Sequence, residues 1–370
     1  EWTRLADAYG SGLANWRTQA IMHQAIHDAL NAVTPAFQRW SPKADDEPPA
    51  EGAAAGAGIA AAAARVLLLL HPSRQEDTER ALRRVLEGLE SGPAVTAGVA
   101  LGRAIGQRAV ERRDHDGSLD IRAFTGHTDP GQWVRTPLDY ATSNTSSARP
   151  FLFSVEEVTT GPPPPPLDSD AYRVSVQEVR RLGGVDSTER TEAQAQSAFY
   201  RASQSSQRGY LDLAARLLDQ RADALGLLDQ ARIISQMTAA MADSAIMVWR
   251  RKEHFAYWRP VTAIRAGSPG VTPDPHWLPL LETPPFPEYP SGHAADCYTG
   301  SAYLQAALGP DVGPIAYISL EGSEAAKARP SDFGMGQHAQ PSAGQHAQLK
   351  TMQRLFSRRY ESLAAAAREC

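Results

Sequence analysis

The chain has 370 residues, 42% of them hydrophobic, which is enough for one large domain or two moderate ones around a real core. Lys plus Arg total 37 against 42 for Asp plus Glu; the net charge of -5 excludes bulk attraction to nucleic acid or an anionic membrane, so any anion site must be local. The two cysteines, Cys297 and Cys370, exclude a disulfide framework but leave room for one bridge. A first residue Glu1 is compatible with trimming or with a removed secretory leader, so localisation stays open between soluble and secreted.

In chain order, the periodic segments are mostly helical. The stretch "ANWRTQAIMHQAIHDALNAV" places Ile21, Ile26, Leu30 and Val33 near one helix face, and Pro35 ends it. His23 and His27 share a face of this helix with Asp28 beside them. Gln24 stands where an HExxH metal helix needs glutamate, which favours core or helix-helix hydrogen bonding. Next, "GAAAGAGIAAAARVLLLL" is the most membrane-like stretch, but alanine and glycine contribute little transfer energy and Arg65 interrupts it, so it reads as a buried helix. "RQEDTERALRRVLEGLESG" is a charged amphipathic helix stopped by Gly92 and Pro93, and "AVTAGVALGRAIGQRAVERRDHDG" is another that ends at Gly117.

Residues 118–171 form a long polar connection in which "GPPPPPLD" reads as a stiff connector between two helical halves, residues 1–160 and 172–370. "TERTEAQAQSAFYRASQ" and "QRGYLDLAARLL" resume the helical pattern, and "LDQARIISQMTAAMADSAIMVWRRKEHF" is the longest run. Residues 268–290 are a proline-rich loop placed to act as a wall or lid. His338 and His346, in the doublet "GQHAQPSAGQHAQ", match no zinc spacing and read as a surface loop. With few stretches of period two, the fold class is all-α.

The chemistry concentrates late in the chain. Lys252 and Arg259 stand six residues apart in the intervening sequence, and Pro260 restrains the residue before it, so both cations sit where a helix stops. About thirty residues on, Pro290, Ser291, Gly292 and His293 form a tight loop, with helical spacing from Ala294 onward. A helix start presents unpaired N–H groups and positive partial charge; Gly292 admits close backbone approach, Ser291 adds a hydroxyl and His293 a titrating imidazole. A lysine point charge and a planar guanidinium fork complete a receptor for a multiply charged oxoanion.

Lys252 with six residues before "RP", followed by "PSGH", resembles the first two signature boxes of the superfamily that joins vanadium-dependent haloperoxidases to type 2 phosphatidic acid phosphatases and bacterial acid phosphatases. "YWRPVTAIRAG", "WLPLLETPPFPEYPSGH" and "MHQAIHDALNAV" look like the bacterial haloperoxidase branch. The resemblance implies two packed helical bundles and a vanadate cofactor. Lys252, Arg259, Ser291 and the N–H of Gly292 would grip the vanadate oxygens, with His293 as acid-base residue and Lys252 polarising bound peroxide. It implies hydrogen peroxide and halide as reactants and hypohalous acid or a halogenated small organic substrate as product; the charge balance gives no nucleic acid or membrane partner, and the sequence leaves a homo-oligomer open. The family's third box, an arginine followed by the histidine that bonds vanadium, is not found: Arg329 and His338 have the wrong spacing and neighbours. "SRRYESLAAAAREC" reads as the apolar-faced helix that leads into that box, which is expected beyond Cys370. A soluble acid phosphatase of the same superfamily, or a catalytically degenerate homologue, is the alternative.

Overall fold

The computed structural model describes the chain except residues 11, 121, 125, 127, 136–141, 144, 160, 204–205, 311, 314, 318–357 and 370. It is mostly helical, as the sequence periodicity predicts. The first five helices are α1 (Trp2–Tyr9), α2 (Gly12–Val33), α3 (Ala55–Leu70), α4 (Gln75–Glu87) and α5 (Pro93–Glu111). Then come α6 (Val155–Thr159), α7 (Asp170–Gly183), α8 (Glu192–Ser203), α9 (Ser206–Asp219), α10 (Leu227–Phe255), α11 (Pro260–Ala266), α12 (Gly292–Leu308) and α13 (Leu363–Glu369). Among the described residues, strands are confined to two antiparallel pairs, β1 (Arg122–Ala123) with β2 (Thr142–Ser143) and β3 (Ile315–Tyr317) with β4 (Arg358–Tyr360). Among the described residues no helix is long and apolar enough to cross a membrane.

The chain forms two compact units. One comprises Glu1–Asp116, Tyr210–Asp243 and Thr299–Val312; the other comprises Gly117–Gly209, Ser244–Tyr298 and Gly313–Cys370.

In the first unit the alanine-rich α3 is buried along most of its length, with Ala57, Ala62 and Val66 fully inaccessible. The reason is a stripe of small residues on the neighbouring helix. Gly98, Gly102 and Gly106 of α5 bring its backbone onto that of α3, so that a Cβ at Gly102 would collide with the Gly58 carbonyl and come within 2.9 Å of Ala61 Cβ and 3.0 Å of Ala62 N. Low side-chain volume, not strong apolar character, is what buries this helix. α2 contributes Ile21, Met22, Ala25 and Ala29 to the same core. Its exit is fixed by two side chains: Asn31 Oδ1 accepts from Ala36 N and Phe37 N, and Asp28 accepts from Trp40 N and Ser41 N.

In the second unit, Tyr172 and Val176 of α7 pack with Trp258, Ala263, Ile264, Val271 and Trp277 into one apolar cluster. Ser169 caps α7 by accepting from Tyr172 N at 3.2 Å, a local signal overlooked in the periodicity reading. α10 ends where Ala256 adopts a left-handed backbone (φ 42), and Trp258 N donates to Gly131 O at 3.0 Å. Arg259 is then the N-cap of α11, with Pro260 in its first turn, as expected of a proline that cannot sit inside a helix.

Several expectations change. The proline run is an integral part of the second unit, where Pro162 O accepts from Tyr289 Oη at 3.0 Å and from Arg251, and Pro165 O from Tyr257 Oη at 3.4 Å. Residues 118–171 include α6 and the β1–β2 pair rather than loop alone. The last stretch is only partly helical, because Arg358–Tyr360 pairs with Ile315–Tyr317 before α13 begins. Cys297 is fully buried inside α12 and disulfide-bonded, which takes up the room left for one bridge. Arg329, His338 and His346 lie outside the described residues.

Gly102→Ala should destabilise the protein. The alanine gains about 1 kcal/mol of helix propensity, but the rigid backbone contact costs roughly 1–3 kcal/mol on top of that gain. A lowered urea midpoint would register it, and an unchanged midpoint would show that α3 and α5 can move apart freely.

Candidate oxyanion site

Lys252 occupies the last turn of α10 and is only 3% exposed. Its ammonium donates to Pro287 O at 2.8 Å and Glu288 O at 2.7 Å, and its Nζ lies 5.3 Å from the centre of the Phe286 ring. Arg259 reaches the same loop: Nε donates to Phe286 O at 2.7 Å, Nη1 pairs with Glu288 Oε2 at 2.5 Å, and the guanidinium carbon stands 4.7 Å from the Phe286 centroid. The two cations therefore share one aromatic ring and one three-residue loop. Trp249, one α10 turn before Lys252, holds Phe286 from another side with ring centres 5.0 Å apart. Glu288 N donates to Tyr257 O at 2.9 Å, which ties the loop to the segment between α10 and α11.

Burial first, and the neighbouring Arg259 second, push the Lys252 ammonium down to about 7, with Glu288 acting in the opposite direction. Arg259 also carries a buried Nη2 with no hydrogen-bond partner. An unsatisfied charged donor is costly in a dry setting. Two cations stand here against one carboxylate, so protonated Lys252 leaves a surplus positive charge.

The loop runs from Glu288 into α12 after two residues. Ser291 is the helix cap, its Oγ accepting from Ala294 N at 3.2 Å and its carbonyl from Ala295 N at 3.2 Å. This uses the hydroxyl as an acceptor and keeps its proton for another partner. The helix opens at Gly292, two residues earlier than the spacing suggests. A Cβ at Gly292 would meet only Val248 Cγ1, at 4.0 Å, so the fold itself does not demand glycine there. His293 is exposed, and its Nε2 lies 3.0 Å from Arg201 O in the last turn of α8. One α12 turn further on, desolvation lifts the Asp296 carboxyl well above the usual range.

Of the five residues marked by sequence, Lys252 and Arg259 are brought together on loop 286–288, and Ser291, Gly292 and His293 open α12 directly after it. The His293 ring is engaged with Arg201. Sequence reasoning missed Glu288 and Asp296, although "FPEYPSGH" does place an acid three residues before the cap. Among the described residues there is no cluster of three or more His, Cys, Asp or Glu suited to a metal ion.

Comparison with known proteins gives three findings. Residues 232–370 match the VCPO second helical-bundle domain. A 76-residue stretch is 38% identical to the vanadium chloroperoxidase of Curvularia inaequalis, spanning 18% of this chain and 12% of that protein. Among solved structures, the first bacterial vanadium-dependent iodoperoxidase aligns over 100% of this chain and 86% of its own, with TM-score 0.74 and 20% identity. The holo form of a bacterial vanadium-dependent chloroperoxidase aligns over 97% and 84%, with TM-score 0.64 and 16% identity. At these identities the structural likeness establishes the fold.

A lysine whose native value is about 7 and whose ordinary value is 10.5 binds fewer protons folded than unfolded between those limits. Stability should then rise with pH from about 7 to about 10.5, and the burial penalty should be fully felt below 7. Lys252→Met should remove this contribution. Urea unfolding of both proteins at pH 6, 8 and 9.5 should show wild type gaining on the variant by up to ~1.4 kcal/mol per pH unit above 7. A pH-independent difference would contradict the burial of a titrating ammonium.

Proposed function

We propose that this chain, whose residues 232–370 match the VCPO second helical-bundle domain and whose fold is like that of a bacterial vanadium-dependent iodoperoxidase, oxidises halide with hydrogen peroxide, using vanadate as cofactor. The product is hypohalous acid or a halogenated small organic molecule. The observation that carries this reading is the meeting of two buried cations on loop 286–288, with Arg259 Nη2 buried and unpartnered, just before a helix N-terminus.

The residues present fit an oxyanion. Arg259 has a donor to spare, the Ser291 hydroxyl has its proton, and Gly292 leaves open space over the first N–H groups of α12. Lys252, Arg259, Ser291 and the Gly292 amide would hold vanadate, which supplies a Lewis acid that activates peroxide without changing oxidation state. Around it, Arg259 neutralises charge through a fixed planar fork, while Lys252, held near neutral titration by burial, offers a proton or a positive charge toward peroxide oxygen. Phe286 and Trp249 exclude water from the cation side, which strengthens each electrostatic contact. His293 moves protons at the exposed face, through the ring whose Nε2 contacts Arg201 O.

Glu288 is the competitor within this arrangement. Its carboxylate takes an Arg259 donor that an oxyanion would use, and at 37% side-chain exposure it is free to swing outward. Glu288→Gln should tighten vanadate binding roughly tenfold, about 1.4 kcal/mol, as measured by equilibrium dialysis. Weaker binding in this variant would mean that Glu288 orders the cations instead of competing with the ligand.

The function itself is tested by adding orthovanadate to protein freed of oxyanions and following peroxide-dependent bromide and iodide oxidation. Activation is expected; inhibition of phosphate ester hydrolysis with no halide oxidation would instead identify a phosphatase. His293→Ala should abolish halide turnover and retain most vanadate binding, and equal loss of both would remove the proton-carrier role.

A further inference from the structure

A cavity of about 430 Å³ opens in the first unit, lined by side chains that the proposed chemistry does not use. That volume suits a small organic molecule. His27, from α2, is 1% exposed and lines it. Its Nδ1 lies 3.1 Å from Asp28 Oδ1, while the same carboxylate accepts from Trp40 N at 2.9 Å and Ser41 N at 2.8 Å. A carboxylate so engaged is an acceptor, so Nδ1 donates to it, and in that tautomer Nε2 presents a lone pair. Nε2 is buried and has no partner.

Two further groups in the lining are underused. Arg39 binds both Glu47 oxygens through its Nη atoms, at 2.7 and 2.9 Å, and leaves Nε buried without a partner. Arg232 lies over the Phe37 ring, 4.8 Å from its centre, and among the described residues its guanidinium makes no ion pair or hydrogen bond. Arg108 also draws on Glu47, at 3.1 Å, so that carboxylate is shared between two guanidinium groups, and among the described residues no acidic side chain lines the cavity. Phe37 and Trp40 add flat apolar wall, and Trp40 is itself pinned by its indole N–H to Ser235 Oγ at 3.1 Å.

A spare cation, a spare buried acceptor and aromatic walls define complementary chemistry. We propose that this cavity binds a small aromatic hydroxy acid, its carboxylate received by Arg232, its ring against Phe37 and Trp40, and its hydroxyl donating to His27 Nε2. A buried acceptor left unmatched, as His27 Nε2 is, is expensive, while Arg232 is exposed and offers a ligand carboxylate a charge-assisted contact in place of water; one ligand of this class would engage both.

Calorimetric titration of the full chain with 3- and 4-hydroxybenzoate, benzoate, phenol and inorganic phosphate tests it. At least one hydroxybenzoate should bind with a Kd below about 1 mM, and benzoate and phenol, each lacking one group, should bind about tenfold or more weakly. Arg232→Gln should weaken the hydroxybenzoate about tenfold, which separates this cavity from the cations of loop 286–288. His27→Gln should reduce hydroxybenzoate to the affinity of benzoate; if that buried variant does not fold, Arg232→Gln and the ligand series decide. Equal affinity for the truncated probes, an unaltered Arg232→Gln, or phosphate binding that Arg232→Gln weakens as much as hydroxybenzoate binding would overturn the proposal; phosphate held by the cations of loop 286–288 should be indifferent to that variant.

Discussion

Keeping an ammonium and a guanidinium together, away from water and within reach of the same ring, is the constraint around which the second unit is arranged. Like charges in a dry setting repel, and each loses its hydration. The fold offsets this with four acceptors from a single short loop, three carbonyls and one carboxylate, and with the negative face of Phe286. The depressed titration of Lys252 shows that the compensation is incomplete. An arrangement that costs stability and still leaves Arg259 Nη2 unpaired is the observation on which the proposal of an anion ligand rests.

The local chain geometry serves that arrangement. The left-handed Ala256 halts α10 just past Lys252, and Pro260 starts α11 just past Arg259, so the two cations flank a short turn rather than lying along one helix. Hydrogen bonds from Trp133 N to Ala256 O and from Trp258 N to Gly131 O fasten that turn to a distant segment. Trp258 carries the apolar cluster with α7 on the other side of the backbone. Loop 286–288 then receives the cations and passes within two residues into the capped start of α12, so cation burial and helix-terminus exposure are set by one continuous stretch of chain.

Much of this could be read from residue order. The helices with clear 3.6 periodicity appear where expected, and the Lys252, Arg259 and Ser291–His293 group was marked because proline and glycine punctuate it. What escaped was pairing through space. Nothing in the spacing of "FPEYPSGH" says that the Glu288 side chain turns back onto Arg259, and no period-two pattern announces a three-residue strand such as Ile315–Tyr317, whose partner lies some forty residues away. The membrane-like α3 was correctly read as buried, yet its partner surface, the Gly98, Gly102 and Gly106 stripe, gains meaning only once α5 is beside it. His23 and His27 read as core or helix-helix hydrogen-bonding residues, and the structure places His23 Nε2 3.2 Å from Thr3 Oγ1 and His27 Nδ1 3.1 Å from Asp28 Oδ1; the unpaired His27 Nε2 is not legible in the sequence.

The central claim, that Lys252 is a desolvated cation waiting for an anion, is tested most directly by heteronuclear NMR of its Nζ. In anion-free protein the account predicts titration near 7, and added orthovanadate should raise the midpoint by about one unit or more, because a bound negative charge favours the protonated form. Titration near the ordinary lysine value, or a midpoint indifferent to orthovanadate, would contradict it.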